Sequence, residues 1–142
     1  MSQKILVPLD TTSAAATVLA AAIAEARWRG ADLVLLRAVA PPTGLAAEAA
    51  VMWPDNVAGM IERRTQAEFA QLREGVPAGV GVSVRVEFGA PWQVIGEVAK
   101  AEDVALVVMG AHDRRLLDGL LGTTTTRVVN HADRSVLVVR GP

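Results

Sequence analysis

Short apolar runs alternate with amphipathic stretches along the whole chain. "KILVPLD" (4–10) is apolar, β-branched and closed by a turn-former, which predicts a buried strand. "SAAATVLAAAIAEARWRG" then places Leu19, Ile23 and Ala26 on one stripe, with Val18 and Ala22 beside it, and ends on Gly30. That is a helix with a C-terminal glycine. "DLVLLRAV" (32–39) predicts a second buried strand. The stretch 40–56 has three prolines and a glycine and reads as a loop, with room for one helical turn. From Val57 to Glu74 the pattern is helical, with Ile61, Thr65, Phe69 and Leu72 on one side.

"VSVRVEFG" (82–89) sets Val82, Val84, Val86 and Phe88 against Ser83, Arg85 and Glu87, the alternation of a strand with one wet face at a sheet edge. "PWQVIGEVAKAED" predicts a helix with Pro91 in its first turn and Val94, Ile95, Val98 and Ala99 turned inward. "VALVVMG" (104–110) is a fourth strand, "TTTTRVVNHA" a short helix and "SVLVVR" (135–140) a fifth strand.

Strands that alternate with helices and read as continuous apolar runs imply an α/β fold: a parallel sheet covered on both faces, an α/β/α sandwich. Right-handed crossovers and the edge-like third strand argue for the order 3-2-1-4-5. The chain then reverses direction between strands one and four. Ligands in such sheets bind beyond the carboxyl ends of the strands at that switch point. The geometry therefore selects Pro8-Leu9-Asp10 and the stretch from Gly110 onward.

"GAHDRRLLDGLLGTTTTRVV" (110–129) has the look of a phosphate cradle. The loop from Gly110 to Gly122 offers backbone amides, and a helix starting near Thr123 offers free N–H groups and the positive end of its dipole. Hydroxyls of Thr123 and Thr124 can cap that helix or donate to a phosphate oxygen. Arg114 and Arg115 can reach a phosphate and partly offset Asp113. On spacing alone, a plain N-cap and a phosphate site both stay open. The stretch is not a Walker loop, because Gly122 precedes Thr123 rather than Lys-Ser or Lys-Thr. Asp10 can accept from a ribose hydroxyl or an adenine amine, or serve the start of the following helix.

His112 falls inside the loop and joins its candidate ligand contacts. Neither it nor His131, the other histidine, has the spacing of a zinc ligand, and each also suits a surface or capping role. No nucleophile triad or carboxylate pair declares itself. Trp28, Trp53 and Trp92 read as packing residues.

Composition narrows the classes. The 142 residues suit one domain, 1–142, with one core. The absence of cysteine excludes disulfides and thiolate metal sites and fits a reducing compartment. A net charge of −1 gives no footprint for nucleic acid. No run approaches the length of a membrane helix, and the start lacks a signal-peptide pattern, so the expectation is a soluble cytoplasmic protein.

Four stretches together, "KILVPLD", "GADLVLLRAV", "GAPWQVIGEVAKAEDVALVVMGAH" and "LLGTTTTRVVNHADRSVLVVR", resemble the universal stress proteins of the UspA type. The resemblance covers nearly the whole chain and is weakest from 40 to 80. It implies the sandwich argued above and a stress-response role. One branch of that family binds ATP through a loop of the form G-x2-G-x9-G-(S/T). Gly110 matches its first glycine, and Gly122-Thr123 its last pair. Asp113 stands in place of the middle glycine, and eight residues, Arg114 to Leu121, follow it. The resemblance further implies that Pro8 and Asp10 line the adenosine side, that Val39 meets the adenine, and that a homodimer forms through 135–140. Three functions follow. One is a regulatory protein binding ATP, possible with Mg, with at most slow hydrolysis. The alternative is a UspA-like homodimeric interaction protein without ATP. The third, an enzyme of a related nucleotide-binding fold, lacks a glycine-serine loop after the first strand and lacks room for a second catalytic domain.

Overall fold

A computed structural model of the chain describes residues 2–10, 14–40, 55–111 and 121–141. Within them, β1 (Lys4–Pro8), α1 (Ala15–Arg29), β2 (Asp32–Val39), α2 (Asp55–Glu74), β3 (Val82–Phe88), α3 (Pro91–Ala101), β4 (Leu106–Gly110), α4 (Thr123–His131) and β5 (Ser135–Val139) follow one another. All strand pairs are parallel, and the order across the sheet is β3-β2-β1-β4-β5. The expected order is the observed one, with β3 at one edge and β5 at the other.

The pleat divides the core into two layers. Ile5 and Val7 of β1, Leu33 and Leu35 of β2 and Val108 of β4 face α1 and α2, against Ala22, Ala26 and Phe69. Leu6, Val34, Leu36, Val107 and Met109 face α3 and α4, against Val94, Ile95, Val98 and Val128. Successive residues of one strand point to opposite faces, so continuous apolar runs are what a sheet covered on both sides requires. The helix on each side fills its layer with the stripe expected of it. Val94, Ile95, Val98 and Ala99 of α3 are all buried, as are Thr65 and Phe69 of α2. Gly30 closes α1 in the left-handed region at φ 64°, where a side chain would be strained.

The structure corrects several boundaries, among them the end of β3, which falls at Phe88 rather than Gly89. β1 stops at Pro8 rather than Asp10: Leu9 N–H still reaches Leu36 O on the β2 side, but pairing with β4 has already ended at Leu6↔Val107, and Pro8 has no N–H to extend that side. β4 begins at Leu106 rather than Val104: Asp103 turns with φ 50°, and the Val104 N–H goes back to Ala99 at 3.1 Å, closing α3. β5 ends at Val139 rather than Arg140, and α2 begins at Asp55 rather than Val57. Two side chains also depart from the expected pattern. Trp28 is 87% exposed on α1 and does not pack, and Phe88 is 38% exposed at the end of β3. Trp92 does pack, with its ring centroid 4.9 Å from that of His131 and the Arg127 guanidinium over its face. Trp53 and the loop 41–54 lie outside the described residues.

Candidate functional site

The switch point is where the chain leaves β1 and β4 in the middle of the sheet. β1 pairs with β2 through Pro8↔Leu36 and with β4 through Ile5↔Leu106 and Leu6↔Val107. The two exits are thus neighbours at the carboxyl edge.

The β4 exit is built almost entirely by hydrogen bonds to backbone. Ala111 N–H donates to Val139 O at 2.9 Å, and Gly122 N–H donates to Ala111 O at 2.8 Å. The residue that opens α4 is therefore fastened directly to the strand end. The Thr125 hydroxyl donates to Gly110 O at 2.7 Å and is buried. Gly110 itself has no left-handed φ. A Cβ there would stand 3.4 Å from Val18 Cγ2 on α1, an ordinary van der Waals contact, so local packing alone does not demand the glycine.

Gly122 is the N-cap of α4, with φ −62° and ψ 159°, and among the described residues no side chain caps the helix. The first ladder bond is Thr126 N–H to Gly122 O, at 2.9 Å. The N–H groups of Thr123, Thr124 and Thr125 thus precede the helix's own ladder. No acid lies in the first turn. Thr123 is exposed and Thr124 half-buried. A capping role for either threonine is corrected here: Gly122 holds that position, and Thr123 and Thr124 are already helical. What remains is a positive helix end carrying hydroxyls, the arrangement that receives an anionic oxygen.

At the β1 exit, Pro8 is half-buried and Asp10 exposed. Ala14, not Asp10, occupies the N-cap of α1. Val39 ends β2, half-buried, and its carbonyl accepts from Gly89 N–H at 2.9 Å. The structure thus places Pro8, Asp10, Val39, Gly110, Gly122, Thr123 and Thr124 at or just beyond carboxyl strand ends. His112, Asp113, Arg114 and Arg115 lie outside the described residues. His131 is exposed at the far end of α4, where its Nδ1 meets Arg127 O at 2.8 Å, a helix-end role distant in sequence from the cradle.

Sequence reasoning missed Thr125 and Arg37. Thr125 lies three residues before the buried Val128, on the inward side of α4, which is the signal that could have separated it from its threonine neighbours. Arg37 sits at an inward position of an apolar strand, where a charge requires partners.

Comparison with known proteins agrees with the fold that carries this site. The model of the Universal stress protein family matches residues 1–140. Universal stress protein G of Salmonella typhimurium is 36% identical over 59 residues, 42% of this chain and 42% of that protein. The match thus spans less than half the length of the curated relative. Universal stress protein UspA from Lactobacillus plantarum superposes with a TM-score of 0.79 at 25% identity, covering 97% of both chains. The hypothetical protein MJ0577 does so with a TM-score of 0.83 at 22% identity, covering 100% of this chain and 98% of that one. Two structures described as complexes share the fold. A universal stress protein with cAMP has a TM-score of 0.63 at 23% identity, covering 98% of this chain and 97% of that one. The universal stress protein from Archaeoglobus fulgidus with dAMP has 0.64 at 20%, covering 96% of both.

Proposed function

The chain belongs to the universal stress protein family, and we propose that it is a cytoplasmic stress-response protein that binds ATP at the switch point between β1 and β4. The observation that carries this reading is the N-terminus of α4. Among the described residues it has no side-chain cap, its first turn carries no acid, and it is fastened to the β4 exit by the Gly122–Ala111 bond. A capped helix would have satisfied those donors itself; this one leaves them for an incoming oxygen.

In this reading Thr123 and Thr124 receive phosphate oxygens with hydroxyl and amide donors. Gly110 and Gly122 bring backbone close to them. Arg114, Arg115 and His112 supply the remaining phosphate contacts. Pro8 and Val39 flank the adenine, and Asp10 accepts from the ribose. Mg2+ would arrive on the phosphates, whose oxygens are its ordinary ligands. The adenine-nucleotide complexes of the two similar structures support the choice of ligand. Hydrolysis, where it occurs, is slow, and the bound nucleotide acts as a regulatory ligand.

The β5 edge supports a homodimer. Val139 O points to Ala111, so Val136 and Val138 turn their backbone groups away from β4. An apolar edge strand with unpaired groups is completed by its symmetry mate.

The test is to denature the purified protein and identify what it releases by mass spectrometry. Recovered adenine nucleotide supports the proposal. A clean extract, with a protein that remains dimeric, favours the reading as an interaction protein without ATP.

A further inference from the structure

β1 loses its ladder where the ligand site begins. Pro8 is the last residue paired with β2 and has no N–H to offer. Leu9 nevertheless stays fixed through both of its backbone polar groups. Its N–H donates to Leu36 O at 2.9 Å, and its carbonyl accepts from Arg37 Nε at 3.0 Å. The first bond belongs to the sheet. The second comes from a side chain.

That side chain is unusual for its place. Arg37 shares the sheet face of Leu33 and Leu35, and only 14% of it is exposed. Its Nη2 meets Glu68 Oε2 on α2 at 3.2 Å, and its guanidinium lies over the buried Phe69 ring, 5.1 Å from the centroid. Burying a guanidinium costs free energy that a methionine or leucine in the same space would not incur. The apolar residue would fill the layer equally well. What it could not provide is a rigid planar donor, held from two sides, aimed at the carbonyl of Leu9.

We propose that Arg37 is a positioning residue: it fixes the β1 exit so that Asp10, the next residue, is presented to the ligand. This rests on the nucleotide-binding reading given above. Arg37 touches no ligand itself. It acts through Leu9, and removing it frees the peptide that carries Asp10.

The test is a double-mutant cycle read by calorimetric titration with Mg-ATP. Arg37→Met keeps an unbranched apolar side chain in the same layer, removes the guanidinium, and should weaken binding about tenfold. Arg37→Lys, which can still donate to Leu9 O but lacks the rigid planar fork, should recover part of that loss. In an Asp10→Ala background, Arg37→Met should change affinity less than about twofold, because the residue it positions is gone. Without ligand, amide exchange at Leu9 and Asp10 should quicken in Arg37→Met while exchange in α3 stays as in the parent. Arg37→Met binding like the parent overturns the proposal. So does an equal loss in both backgrounds, or unchanged exchange at Asp10. A parent protein that takes up no nucleotide while Arg37→Met still loosens Leu9 and Asp10 sinks the nucleotide reading, and the ligand-positioning role with it.

Discussion

The hydroxyl of Thr125 donates to the carbonyl of Gly110 at 2.7 Å, joining the first turn of α4 to the end of β4. Both partners belong to the candidate phosphate cradle; Thr125 is buried and Gly110 half-buried. Thr125→Val keeps the shape and deletes the donor. We expect a loss of about 1 kcal/mol of stability, the net worth of a part-buried hydrogen bond whose acceptor loses its partner. Thr125→Ser should retain most of it. Chemical denaturation of the three proteins checks this.

Thr123 separates helix stability from ligand binding. It is exposed at the first position of α4, whose first turn has no acid. Thr123→Asp places a carboxylate at the positive end of the helix and should stabilise it by about 0.3–1 kcal/mol. The same charge repels phosphate, so nucleotide affinity should fall by about tenfold or more. Opposite signs in thermal unfolding and in titration are the expected signature. A fall in both would make the residue merely structural.

At the opposite end of the sheet, Glu102 at the end of α3 receives Lys4 Nζ at 2.7 Å and Arg85 Nη1 at 3.1 Å. The Lys4 hydrogen bond, and after it Arg85, holds its carboxyl below the usual carboxylate range. A carboxyl depressed by folding contributes stability that is present above its unfolded value. That contribution is lost as pH falls through the folded value. The pair is partly solvated, so at most about 1 kcal/mol is at stake. Stability curves of the parent and Glu102→Gln, measured from neutral pH down into the carboxylate range, should converge in acid.

For the proposed dimer, Val138→Pro is the sharpest probe. Val139 carries the bond to Ala111, so the Val138 N–H points away from β4. Proline there spares the ladder inside the protomer and removes an outward donor. Light scattering should report a monomer with an intact sheet. An unchanged dimer would place the interface elsewhere.

Much of the fold was legible because burial on both faces leaves a plain trace. Runs such as "ILV" and "LVLL" need no partner in sequence to be recognised, and the wet face of β3 marks an edge. Boundaries failed where one residue overrode the run, as Pro8 and Asp103 did. Trp28 failed for another reason: a large apolar side chain next to Arg27 and Arg29 carries no sign of which way its helix turns. In the candidate site, the glycines and threonines stood out by type. The contacts that fix them did not. Arg37 draws on Glu68, 31 residues away, and Thr125 on Gly110, 15 residues away. No local pattern encodes such partners.

The most direct measurement is a calorimetric titration of the purified protein, stripped of any bound small molecule, with Mg-ATP, run beside Thr123→Asp. The account predicts saturable binding in the micromolar range or tighter for the parent and a marked loss for the variant. A flat titration of the parent, or equal affinity in both, would contradict a phosphate site at the N-terminus of α4.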